Sequence, residues 1–144
     1  CEGLVGSEMC IRDSGYIVPI NNGVISGRYN TWPQANIKTS PDRCFLTGVG
    51  GVIYPLNKQL RDNMSNYAVA SKLCPANDDI WFWYCAMEIN LDLICLGNND
   101  LNYEKEQLKG SGLWQTNCLD NENDAQLLSL LEACGQSIKL KPYV

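Results

Sequence analysis

The sequence predicts an α/β fold: a mixed sheet with two or three helices. Three observations carry this. A capped, densely apolar segment over 78–90 has helix length. Short apolar runs at Cys44–Thr47 and Asp92–Leu96 have strand length and are bounded by turn residues. A third segment, Asn123–Cys134, repeats apolar residues at helical spacing. Alternation of such elements along one chain is the pattern of packed helix and strand layers.

The first 15 residues carry no functional expectation. Ser7–Ser14 resembles a translated sequencing-adapter read, so residues 1–15 are expected to be non-native or disordered. The chain opens on Cys1 and not on Met, which reads as a fragment or a processed product. Residues 16–144 are treated as one unit, in keeping with a length of 144.

From Gly15 to Ser40 turn formers dominate, with short strand candidates at Tyr16-Ile17-Val18 and Gly23-Val24-Ile25. Tyr29–Pro33 reads as extended, because a residue before proline avoids the helical region. Ser40-Pro41-Asp42 is a turn, and Cys44–Thr47 a strand. Gly48, Gly50 and Gly51 then cluster before Val52-Ile53-Tyr54-Pro55. Such glycines permit positive φ and close backbone approach. They fit a bent hairpin beside the core, or a loop on which a ligand lies against bare backbone. Neither a phosphate-loop pattern nor a dinucleotide fingerprint is present.

Asn66–Leu73 reads as a short helix ended by Pro75. Asp78–Asn90 follows, capped by Asn77 or Asp78. Its apolar residues cover nearly the whole circumference, which marks a buried helix. Asp92–Leu96 is a buried strand and Gly97–Asp100 a turn. Tyr103–Gly112 is polar, and Leu113–Asn117 begins a further helix. In Asn123–Cys134 the apolar positions are Ala125, Leu127, Leu128, Leu130 and Leu131, with Gly135 as the stop.

Composition excludes several classes. A net charge of −5 with no basic cluster speaks against a nucleic-acid partner. No apolar run has the length of a transmembrane segment. Histidine is absent, which removes Ser-His-Asp and Cys-His catalysis and histidine-ligated metals. The eight cysteines invite a disulfide framework. Cys85, Cys95 and Cys134, however, lie in core-like apolar segments, where a free thiol acts as a small hydrophobe. Reduced thiols and a cytoplasmic location are therefore expected. No C-x-x-C occurs, and no metal ligand set is expected in this chain.

The candidate chemistry lies at Asp78 and Asp79. Neighbours on a helix point about 100° apart, so one acid can cap free amides while the other faces a cleft. The positive helix end favours their ionised forms. A carboxylate at a cleft mouth can deprotonate a hydroxyl within hydrogen-bond reach. Capping is the plainer reading on pattern alone, since acids are enriched at helix starts. Of the four tryptophans, Trp81 and Trp83 read as packing, whereas Trp32 and Trp114 sit in polar contexts and are as apt to stack on a ligand as to pack.

Thr47-Gly-Val-Gly-Gly-Val-Ile-Tyr-Pro55, Leu73-Cys-Pro-Ala-Asn-Asp-Asp-Ile-Trp-Phe82, and Leu113-Trp114 with Asn117 together resemble the C-terminal half of bacterial family-2-like, GT-A glycosyltransferases of polysaccharide synthesis. The resemblance covers about Tyr29 to Glu132. It implies a partial GT-A-like fold holding the acceptor side of an inverting, nucleotide-sugar-dependent transferase. In that family an acidic pair opening a helix supplies the general base, a role that falls on Asp79 with Asp78 as companion. Gly50, Gly51 and Tyr54 match the segment lining the sugar site. Trp114 matches the late aromatic of a Gln-x-x-Arg-Trp motif, but Leu113 stands where the arginine would be. The full-length enzyme would bind a nucleotide-sugar donor, a glycan acceptor and a divalent metal, Mg or Mn. The Asp-x-Asp triplet that holds that metal is absent here, so the chain by itself is expected to be inactive. Two other classes stay open: a non-catalytic carbohydrate-binding or structural domain, and a secreted disulfide-rich binding protein.

Overall fold

The computed structural model describes residues 9–12, 14–22, 24–48, 51–55, 57–97 and 121–134. Within them the chain is a mixed α/β structure of short strands and four α-helices. The strands are β1 (Met9–Arg12), β2 (Gly15–Ile17), β3 (Ile20–Asn21), β4 (Val24–Ile25), β5 (Cys44–Leu46) and β6 (Asp92–Cys95). The helices are α1 (Lys58–Met64), α2 (Tyr67–Leu73), α3 (Asp78–Glu88) and α4 (Glu122–Cys134).

The strands form three two-stranded ladders among the described residues, where one mixed sheet was expected. β1 runs parallel to β6, with Met9 opposite Asp92 and Arg12 opposite Cys95. β2 and β5 pair antiparallel through Tyr16 and Phe45. β3 and β4 form a hairpin in which Asn22 takes φ 53. An antiparallel bridge joins Ile11 to Ile53, so the segment after the glycine turn lies against β1.

Residues 9–12, expected to be non-native or disordered, pair as a strand in the fold. Cys10 is fully buried and Arg12 is 2% exposed. The reason is pairing: β6 is an alternating strand whose parallel edge needs a partner, and β1 supplies it.

The core is strongly aromatic. Trp32 packs on Tyr29 at 5.0 Å and Phe45 at 5.6 Å between ring centroids, and Phe45 meets Trp83 at 5.8 Å. β5 is buried at all three positions. Helix α3 buries Ile80, Trp81, Trp83, Cys85 and Ala86, as its all-round apolar sequence predicts. Helix α4 departs from expectation. Its buried face is Asn123, Gln126, Leu127 and Leu130, while Ala125 and Leu128 are exposed. Two amides inside take the place of two predicted apolar contacts because both have partners on the α3 side.

The expected turn at 98–100, the polar segment 103–112, the helix start at 113–117 and the Gly135 stop lie outside the described residues. The six described cysteines are free thiols, five of them buried. No helix among the described residues is long and apolar enough to cross a membrane.

Candidate functional site at the start of helix α3

Pro75 ends the approach to α3, and Asn77 caps it. The Asn77 side chain accepts from the Ile80 N–H at 3.2 Å and donates through Nδ2 to Asn123 Oδ1 at 2.6 Å. One turn along α4, Gln126 Oε1 accepts from the Ala76 N–H at 2.9 Å. Asp124 accepts from the Tyr29 N–H at 2.8 Å. The N-terminal turns of α3 and α4 are therefore locked together by amide hydrogen bonds. This explains the polar residues buried on α4.

With Asn77 in the capping role, the two acids of the first turn point elsewhere. Asp78 is exposed and Asp79 half-buried. The Asp79 carboxyl faces the turn that follows β5, in which the Gly51 N–H bonds the Gly48 carbonyl at 3.1 Å. The Gly48 backbone N–H donates to that carboxyl. A Cβ placed on Gly48 would stand 2.8 Å from Asp79 Oδ1, so the close approach requires glycine there. Gly51 serves differently: its φ is +100 and its surroundings are open, so it supplies conformation and not contact.

Asp79 is held above the ordinary carboxyl value of 3.8, at about 6. Burial is the main cause, the Asp78 charge adds to it, and the Gly48 N–H and the Arg12 cation oppose it. The sequence expectation that the helix end keeps both acids low is thus corrected for Asp79, where desolvation outweighs the macrodipole. Arg12 reaches this place from β1, and its guanidinium donates to Thr47 Oγ1 at 2.9 Å, one residue before Gly48.

Tyr54 stands beside the acids, half-buried, with its ring 6.0 Å from that of Phe82. Burial, then the Cys10 thiol and the Asp79 and Asp78 charges, push its phenol well above the usual range. It remains a neutral O–H donor at neutral pH. Tyr54 and Phe82 wall a cavity of about 420 Å³ with Leu60, Arg61 and Met64. A second groove of about 540 Å³ shares Met64, Ser65 and Phe82 and adds Tyr67, Asp78 and Trp81. Trp81 Nε1 donates to the Met64 carbonyl at 3.2 Å and fixes the end of α1 against α3. Asp78 thus lies on the groove wall, whereas Asp79 lines neither of these two cavities and faces the glycine turn.

Of the residues singled out from sequence, Asp78, Asp79, Gly51 and Tyr54 come together. Gly50 and Trp114 lie outside the described residues. Trp32 is corrected: it is 4% exposed within the aromatic core, leaving no ring face for a sugar. Sequence reasoning missed Arg12, Gly48 and Phe82 as site residues. Gly48 was legible as the first glycine of the turn, and Phe82 as the residue one helical turn beyond Asp78. Arg12 carried no signal, because its burial depends on a strand partner far along the chain.

No group of three or more acidic or thiol ligands that could hold a metal occurs among the described residues. Asp78 and Asp79 look to different surroundings.

Comparison with protein-family models, with curated proteins and with solved structures finds no match to this chain.

Proposed function

We propose that this chain is the acceptor-side part of an inverting, nucleotide-sugar-dependent glycosyltransferase of the GT-A type. Asp79 acts as the general base. It accepts a proton from an acceptor hydroxyl, whose oxygen attacks the anomeric carbon of the donor sugar as the nucleotide leaves. The observation that supports this reading best is the Asp79 carboxyl itself. It is half-buried, met by a bare backbone N–H, and poised near 6, so it is ionised at neutral pH yet more basic than a surface carboxylate. Tyr54 supplies a neutral donor, and the aromatic walls of the adjoining cavities suit the apolar faces of sugar rings. In this reading the donor nucleotide and its divalent metal are held by another part of the enzyme, as the resemblance to GT-A enzymes implies.

The test is nuclear magnetic resonance of the labelled chain with methyl glycosides of glucose, galactose and N-acetylglucosamine. Shift changes are expected at Tyr54, Asp78, Asp79 and Phe82. Changes nowhere, or only at a distant face, refute the reading. The chain mixed with UDP-hexoses and these glycosides is expected to release no UDP, and turnover by the chain alone refutes the acceptor-side assignment.

A carbohydrate-binding domain without chemistry is favoured by one observation, the position of Asp79 off both cavity walls. The two readings part at Asp79→Asn in an enzyme containing the donor side. Transfer is lost with acceptor binding kept if Asp79 is the base; neither changes if it is not.

A further inference from the structure

We propose that Gly48 is a positioning residue for the Asp79 carboxyl: its N–H, approachable because no Cβ stands there, sets where that carboxyl points. The inference rests on the assignment of Asp79 as base, and it adds a residue that acts through the base without touching substrate. Three observations carry it. The Gly48 N–H donates to Asp79. A Cβ at residue 48 would lie 2.8 Å from Asp79 Oδ1, closer than a real Cβ approaches an oxygen, and the three nearest atoms to that place outside residues 47–49 all belong to the Asp79 carboxyl. Gly48 does not occupy the left-handed region, unlike Gly51 at φ +100, so its backbone tolerates alanine and the need for glycine comes from the carboxyl alone.

The surroundings reinforce this. β5 is buried along its whole length and delivers residues 47 and 48 rigidly. Arg12 ties down Thr47 from β1, and its cation, Asp78 and the Tyr54 phenol are the charged or titratable groups in range of Asp79. On the other side, Asn77 and Asn123 hold the start of α3. The carboxyl thus lies between the start of α3 and the turn after β5, with the Gly48 N–H to orient it. An added methyl has an inexpensive way out, because the atom it meets is the end of a side chain. Gly48→Ala therefore folds and turns the carboxyl off its donor.

The experiment is a pH titration by nuclear magnetic resonance of the full chain, following the residue-48 amide proton and the Asp79 carboxyl carbon. In the unmodified chain the two are expected to titrate together with a midpoint of about 6. In Asp79→Asn the Gly48 amide loses that titration. In Gly48→Ala the residue-48 amide no longer follows Asp79, and the Asp79 midpoint moves up by about half a unit or more, since burial and Asp78 act without the opposing N–H. Gly51→Ala, which strains the same turn without nearing the carboxyl, leaves the midpoint where it was. A Gly48 amide that titrates equally in Asp79→Asn overturns the proposal, as does an unchanged or lowered midpoint in Gly48→Ala. The Asp79→Asn comparison decides the matter even if Gly48→Ala does not fold. Loss of the sugar-induced shifts with these titrations intact sinks the transferase reading alone.

Discussion

Replacing Asp79 by Asn is expected to make the chain more stable at pH 8. The folded carboxyl titrates at about 6 against an ordinary value of 3.8. The folded state therefore binds its proton more tightly than the unfolded state does. By linkage, stability falls as pH rises through the window from 3.8 to about 6, and the full cost is present above it. A shift of that size corresponds to about 3 kcal/mol at one pKa unit per 1.36 kcal/mol. The side chain is only half-buried, and solvent screening reduces the net effect to about 1–2 kcal/mol. Asn keeps the shape and still accepts from the Gly48 N–H, so little is lost in exchange. The assay is urea denaturation of both chains at pH 4 and pH 8. The difference between them should be small at pH 4 and about 1–2 kcal/mol in favour of Asn at pH 8. Other carboxylates cancel in that double difference. A difference independent of pH, or one favouring Asp at pH 8, refutes the reasoning.

Arg12→Met removes the cation that opposes the shift, and the Asp79 midpoint, followed by its carboxyl carbon, should rise above 6. Asn77→Ala removes a helix cap and leaves Asn123 without its 2.6 Å partner; a loss of about 2 kcal/mol in urea denaturation is expected. Trp32→Ala should cost about 3–5 kcal/mol, the cost of emptying an aromatic core site, and a destabilisation under 1 kcal/mol would place the ring outside the core. Burial pushes the Cys10, Cys44 and Cys85 thiols up to about 12 and Cys74 to about 11, so peptide mapping after brief alkylation of the native chain at pH 8 should find these four unlabelled.

What the sequence made legible was local. Helix α3 announces itself through Pro75, the Asn77 cap and an unbroken apolar run, and β5 and β6 through short apolar segments between turns. Helix α1 escaped because it buries only Leu60 in seven residues, too little for a stripe, although its Asn57 cap on the Leu60 N–H was there to read. Strand β1 escaped because its partner is β6, and a parallel pairing across most of the chain leaves no local trace. Trp32 misled through its polar neighbours Asn30, Thr31 and Gln34; of the rings that bury it, Phe45 belongs to another segment. On α4 the spacing was right and Leu127, Leu130 and Leu131 face the core, but the buried face is turned toward Asn123 and Gln126 and away from Ala125 and Leu128. Asn123 and Gln126 look like surface residues until the Asn77 side chain and the Ala76 N–H appear opposite them.

The balance between capping and chemistry at the acidic pair turns on these same contacts. A capping carboxylate accepts free helix amides and becomes a stronger acid for it. Here Asn77 already accepts from Ile80, and a second helix holds Asn77 in place. Asp79 is left facing a turn outside its own helix, a weaker acid than a surface carboxyl. Burial and the Asp78 charge work against ionisation of that carboxyl, and only the Gly48 N–H and the Arg12 cation favour it. On the proposed transferase reading, what that oxygen can do to a proton gives the carboxylate its use there.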